Sequence, residues 1–284
     1  TQNNPYTFTV RQTDISGLPL SLNDYVTDES GLTVTNTYQI PKGSRTGTKE
    51  WVNGEFARPQ TLWLQLRRTF TTVEGTVDEA VPNAQIVSAS TTQGTSHEWL
   101  DLDLTDRDGN AYTFYLQEGL LSGDVFTKSV PEHFRLSGEG TLNLVNTYQI
   151  PTDKSETAFK VWSLGSQADK PDLWFRLERR LQGSTGDFAP VPQADIMQVP
   201  NEAPFTVTWT GLERTNAAGQ PYEFAVTEGT LTGSTFTAGA PAPFSEAAGQ
   251  GTLQLTNTYK SPLRPNITVT KLWTTTGTGT APEA

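Results

Sequence analysis

One motif constrains this chain more than any other feature. It closes an alternating apolar run three times, as TVTNTYQIP at Asn36, NLVNTYQIP at Asn146 and QLTNTYKSP at Asn257. Successive copies stand 110 and 111 residues apart. Self-similarity at a fixed period decides architecture before any single element does. Other blocks keep the same register. GTKEW at Lys49, AFKVW at Lys160 and TVTKLW at Lys271 follow one another at intervals of 111 residues. RPQTLWLQLRR (58–68) recurs as KPDLWFRLERR (170–180). NAYTFYLQEG (110–119) recurs as QPYEFAVTEG (220–229) and as NPYTFTVRQT (4–13). The chain therefore divides into the back end of one repeat (1–41), two complete repeats (42–152 and 153–261) and the front strand of another (262–284).

Within these blocks the apolar period is two, and β-branched and aromatic residues dominate, the pattern of half-buried strands. Gly and Pro punctuate the runs, as in RDGNAY and NAAGQPY. No segment has the period of a long amphipathic helix. The expected fold is all-β: tandem immunoglobulin-like sandwiches of about 110 residues each. The Pro-containing joints YQIPTDKSE and YKSPLRPN suggest semi-rigid stacking into a rod.

Composition removes several function classes. The net charge of −11 argues against phosphate backbones and acidic membranes, so neither nucleic acid nor membrane insertion is expected. No run approaches the length of a membrane helix. Cysteine is absent, which removes disulfides, thiol catalysis and thiolate metal sites together. Only His97 and His133 are present, one in each of two dissimilar surroundings, so a histidine metal site or triad is not expected, nor is any cofactor. With neither a leader nor a sorting tail in view, the chain is expected to be an excerpt of a longer one.

Strand alternation lets the facing of each side chain be inferred from parity. Ala158, Lys160 and Trp162 share a face, as do Phe114, Leu116 and Glu118, and Leu142, Leu144 and Asn146. The second repeat aligns Phe224, Val226 and Glu228, and Leu253, Leu255 and Asn257. Each complete repeat thus points a Lys, a Glu and an Asn among apolar residues. Each position alone has an ordinary explanation, since a strand-end Lys can snorkel and an Asn before a turn is a turn residue. The joint pattern in both repeats, with Lys and Asn always 97 residues apart, outweighs those explanations.

Desolvation lowers a Lys pKa and raises a Glu pKa. Near neutral pH the amine could then be an uncharged nucleophile and the carboxyl a hydrogen-bond donor to the Asn amide. Fixed neighbours supply a high effective concentration, so a slow amide exchange becomes feasible. The product is a Lys–Asn isopeptide bond with ammonia released. Such a reaction turns over once, on the fold itself, and makes the chain no enzyme.

Taken in order, GTKEW, RP…LWLQL, YTFYLQE and LVNTY resemble the Cna B-type repeat domains of Gram-positive cell-surface proteins, whose pattern runs TKxW, RP, YTVxE, TNTY. The resemblance covers nearly the whole chain. It implies a reversed immunoglobulin-like sandwich serving as a collagen-adhesin stalk or pilin module, secreted and cell-wall anchored through regions outside this stretch. It also implies the spontaneous cross-link: Lys49 to Asn146 promoted by Glu118, and Lys160 to Asn257 promoted by Glu228. The implied partners are neighbouring repeats of the same polypeptide, with host matrix or glycan contacted by other regions. Three residues are left without a full set. Asn36 has no Lys in its own segment, Gln12 stands where the other copies have Glu (with Asp14 two residues on), and Lys271 has neither acid nor Asn after it.

Two rivals deserve a place. A ligand-binding adhesin module, gripping a host protein or glycan, would use exposed aromatics, and Trp51, Trp63, Trp99, Trp174 and Trp209 are candidates. A glycoside hydrolase would need paired carboxylates, as in DLDLTDRDGN (101–110), yet the second repeat offers TGLERTNAAGQ there. Asp106, Asp108 and Asn110 have calcium-like spacing but lack the bidentate Glu that completes such a loop.

Overall fold

The structure is a computed structural model that describes residues 5–245, 248–261 and 268–272. Among them no α-helix occurs; one 3-10 turn covers Gln167–Asp169 and everything else regular is strand. Two compact units result. Unit 1 holds Thr1–Lys154 together with Glu213–Tyr222, a hairpin that lies inside the second repeat of the sequence; unit 2 holds Ser155–Leu212 and Glu223–Ala284.

Unit 1 begins with a hairpin of β1 (Tyr25–Ser30) and β2 (Thr33–Tyr38). Its sandwich follows as β3 (Lys42–Val52), β4 (Trp63–Thr72), β5 (Gly75–Ala80), β6 (Val87–Ser88), β7 (Thr95–Asp103), β8 (Thr113–Ser122), β9 (Val125–Lys128), β10 (Phe134–Ser137) and β11 (Asn143–Tyr148). One sheet has the order β10-β11-β3-β7; the other has β5-β4-β8-β9 with β6 also on β4. Period-two patterning produces this directly. In β4, Leu64 and Leu66 point inward while Trp63, Gln65 and Arg67 point out. Those leucines meet Phe114 and Leu116 of β8 and, from the facing sheet, Trp99, Leu102 and Leu144 in one dry core. The Trp99 indole donates to the Gln85 carbonyl at 2.8 Å, satisfying its polar end.

The consequential pairing is the one between the first and last strands. β3 and β11 run parallel, with Leu144 opposite Lys49 and Asn146 opposite Trp51. Lys49 and Asn146 are therefore diagonal neighbours on the inner face, within reach of a long side chain. Every other registered strand pair of the unit is antiparallel.

Unit 2 repeats the plan with β12 (Lys154–Ser163), β13 (Trp174–Leu181), β14 (Ala189–Pro190), β15 (Met197–Gln198), β16 (Thr206–Leu212), β17 (Tyr222–Thr232), β18 (Thr235–Ala238) and β19 (Gln254–Thr258). Its sheets are β16-β12-β19 and β14-β13-β17-β18, with β15 on β13. The bridges Phe244↔Tyr259 and Ala248↔Thr256 stand where unit 1 has β10. β12 and β19 are again parallel, with Leu255 opposite Lys160 and Asn257 opposite Trp162. Ala158, Phe175, Leu173, Leu177 and Leu255 are buried almost completely.

The leading segment lacks the strand that its YTF signature predicts. Residues 6–12 are not strand, and Thr13 bridges Pro19. This hairpin has the local form of Thr105–Ala111 and Thr215–Pro221, while Gln12 just before it accepts from Asn36 as Glu118 does from Asn146. The physical reason is turn chemistry. Asp14 Oδ1 accepts from Ser16 N at 2.8 Å and Leu18 N at 2.9 Å, as Asp106 Oδ1 does from Asp108 N and Asn110 N. Asp14 is thus committed to a turn. At the other end, the front strand expected over 262–284 falls mostly outside the described residues. Residues 268–272, which include Lys271, are exposed and not in strand.

Candidate functional site

In unit 1, Lys49 from β3, Glu118 from β8 and Asn146 from β11 converge in the core, at 0%, 1% and 0% exposure. Lys49 Nζ lies 3.2 Å from Glu118 Oε2. That oxygen receives no aligned hydrogen bond, whereas Lys49 Nζ donates to the Glu50 carbonyl at 3.2 Å. Asn146 Nδ2 donates to the other carboxyl oxygen, Oε1, at 3.0 Å. In unit 2, Lys160 Nζ donates to Glu228 Oε2 at 2.7 Å and Asn257 Nδ2 reaches the same oxygen at 3.1 Å. One carboxyl thus bridges amine and amide in both repeats, through two oxygens in the first and one in the second.

The surroundings set the protonation states. Burial pushes the Lys49 amine down from its ordinary range, against the pull of Glu118. It pushes the Glu118 carboxyl up, against Lys49 and the Asn146 hydrogen bond. Burial lowers the Lys160 amine as well. Taking two charges out of water costs more than their attraction returns unless the geometry is excellent, so in unit 1 moving the proton from Lys49 to Glu118 relieves the site. Each amine also sits near an indole: Lys49 Nζ is 4.6 Å from the Trp51 ring centroid and Lys160 Nζ 4.9 Å from that of Trp162.

The amide oxygens Asn146 Oδ1 and Asn257 Oδ1 are buried and accept no hydrogen bond among the described residues. An amide fills the same space after half a turn, which exchanges Nδ2 and Oδ1. It offers N–H to a carboxylate in one orientation and C=O to a carboxylic acid in the other. A neutral amine beside an acid-polarised amide carbonyl is the arrangement that nucleophilic acyl exchange requires.

The incomplete partners have other surroundings. Asn36 Nδ2 donates to Gln12 Oε1 at 2.8 Å, so these two meet, but both lie near the surface and Thr27 Oγ1 donates to Asn36 Oδ1 at 2.7 Å. Sequence reasoning missed two aromatic neighbours. Phe134 packs edge-on to Trp51 at 5.2 Å, and Phe244 does so to Trp162 at 4.6 Å. The signal was available as PEHF (131–134) and PAPF (241–244), in register with the repeat. Of the aromatic ligand candidates, Trp99 and Trp209 are buried, each with its indole N–H on a backbone carbonyl at 2.8 Å. The Asp106 carboxylate is taken up by the Asp108 and Asn110 amides and the Asn110 side chain, and no cluster of metal-binding side chains occurs among the described residues.

No protein-family model matches the chain, and no curated protein does. Among solved structures, the chain is similar to the pilus adhesin SpaC of Lactobacillus rhamnosus GG, at 13% identity and a TM-score of 0.26 over 83% of this chain and 32% of that one. It is also similar to the shaft pilin SpaA of the same organism, at 9% identity and a TM-score of 0.22 over 79% of this chain and all of that one. A streptococcal ancillary pilin follows at 10% identity and a TM-score of 0.21, over 83% of this chain and 66% of that one. The chain spans about a third of the length of the SpaC chain.

Proposed function

We propose that this chain is a structural stalk segment of an extracellular, cell-wall-anchored bacterial surface protein of adhesin or pilin type. In this reading its complete repeats are each fastened by a spontaneous Lys–Asn isopeptide bond. The observation that carries the reading is the buried trio, present twice with the same strand pairing.

The chemistry balances without any added reagent. With the proton on Glu118, the Lys49 amine is neutral and attacks the Asn146 side-chain carbonyl carbon while the carboxylic acid polarises its oxygen. The carboxyl then takes a proton from the attacking nitrogen and returns one to the departing amide nitrogen. The C–N bond to Lys49 forms, the C–N bond to the Asn146 amide nitrogen breaks, and one ammonia leaves. Glu118 ends as it began. Lys160, Glu228 and Asn257 perform the same steps in unit 2.

Each bond would close a loop of 97 residues between strands that already lie side by side. In tandem repeats, tension enters through those two strands. A covalent tie across them carries load without unfolding the sandwich, and a cysteine-free chain gains a link indifferent to reduction. The test is peptide mapping. Proteolysis and tandem mass spectrometry should recover the Lys49 peptide joined to the Asn146 peptide, and the Lys160 peptide joined to that of Asn257. Recovery of all four as separate peptides refutes the reading.

A further inference from the structure

Unit 1 contains the same joint twice. After the first NTY motif, Tyr38 Oη lies 2.8 Å from Thr105 Oγ1, and Leu104 N donates to the Pro41 carbonyl at 2.9 Å. After the second, Tyr148 Oη lies 2.9 Å from Thr215 Oγ1, and Arg214 N donates to the Pro151 carbonyl at 2.8 Å. The second joint is the more complete. Gly54 N and Phe56 N donate to the Ala217 and Ala218 carbonyls at 3.0 and 2.9 Å. The platform beneath is a stack of Trp51, Phe134 and Tyr148, with ring centroids 5.2 and 5.3 Å apart. Gly54 closes it with φ +68°, its Cα so near the Phe134 and Tyr148 rings that a methyl there would fall within 2.8 Å of both.

Unit 2 builds the same platform. Trp162, Phe244 and Tyr259 stack at 4.6 and 5.5 Å, and Gly165 (φ +74°) lies against the Tyr259 ring. Among the described residues, neither Tyr259 Oη nor Gly165 N has a hydrogen-bond partner. The hairpin that would satisfy them exists in this chain. Thr13–Pro19, TDISGLP, matches Thr215–Pro221, TNAAGQP, at Thr, Gly and Pro. The two share the Thr↔Pro bridge, the turn bonds at 2.8–3.0 Å and a positive φ at Gly17 (+80°) and Gly219 (+86°). Thr13 and Ile15 are exposed, Ile15 wholly so.

We infer that the Trp162–Phe244–Tyr259 platform is a docking surface for the Thr13–Pro19 hairpin of a second copy of this chain. Tyr259 Oη pairs with Thr13 Oγ1 and Gly165 N donates to the Ile15 carbonyl. The contact is head-to-tail and does not close on itself, so it propagates as open chains of molecules. One hairpin covers far less than a stable interface needs, so the association is weak and grows with concentration.

The test uses the full chain with a benzophenone amino acid replacing Tyr259, and the same probe replacing the fully exposed Val73 as control. Irradiation at high protein concentration should give a ladder of oligomers whose adducts map to residues 13–19. In sedimentation velocity, Tyr259→Phe should weaken the self-association of the unlabelled chain about three- to tenfold, the value of one neutral hydrogen bond. Cross-linking no greater than at position 73, adducts outside 13–19, or a monomer at every concentration would each overturn the inference. The last outcome would leave the platform to a repeat joined in the same polypeptide.

Discussion

Replacing the first repeat's amine and carboxyl together, Lys49→Met with Glu118→Gln, separates the cross-link from the charges that make it. In a chain without the bond, exchanging a buried ion pair for neutral side chains of similar size is neutral, or stabilising by about 1–4 kcal/mol. In a chain with the bond, the exchange also reopens a 97-residue loop in the denatured state. On the chain-entropy relation, closing a loop of about 100 residues is worth roughly 4.7 kcal/mol. The two accounts therefore differ in sign. For a unit of this size about 1 kcal/mol moves the midpoint by about 2–4 °C, and the cross-linked chain has no ion pair left to relieve, so the transition of unit 1 should fall by about 10–20 °C. Differential scanning calorimetry on the full chain reads both units, and the transition of unit 2 should not move. An unchanged or raised transition for unit 1 would refute the reasoning. Glu118→Gln alone is a poorer probe, because it also leaves Lys49 buried without its counter-charge.

Lys160→Met with Glu228→Gln should lower the transition of unit 2 and spare unit 1, and combining all four substitutions should give additive losses in the same scan. Tyr148→Phe removes the partner of the buried Thr215 hydroxyl and should destabilise unit 1 by about 1–2 kcal/mol, with faster amide exchange confined mainly to residues 213–222. Gly119→Ala places a methyl about where the Thr127 carbonyl oxygen sits, 2.1 Å away, and Gly229→Ala does the same at the Thr237 carbonyl at 2.2 Å. Each should cost about 1–3 kcal/mol in urea unfolding by prying apart β8 and β9, or β17 and β18.

Much of the site could be read from the sequence because strand geometry makes parity a direct statement about facing. Lys49, Glu118 and Asn146 were placed on apolar faces by counting alone, and they are buried there. Counting could not show that β3 and β11 pair, or that they do so in parallel, because alternation records which face a residue takes and not which strand lies beside it. The leading segment forms no strand over 6–12 for a related reason, although Gln12 still meets Asn36. YTF in 6–8 copies a strand signature, but Asp14 and Gly17 carry the turn, and their hydrogen bonds decide the local structure. The Tyr148–Thr215 joint was invisible because it unites residues 67 positions apart whose side chains have no charge or period to mark them.

The most direct measurement is the intact mass of the purified, unmodified chain. If both repeats fasten themselves, the mass is that of the translated sequence less two ammonia molecules, and Glu118→Gln recovers one of them relative to its own translated mass. A mass equal to the full translated sequence would contradict the central claim.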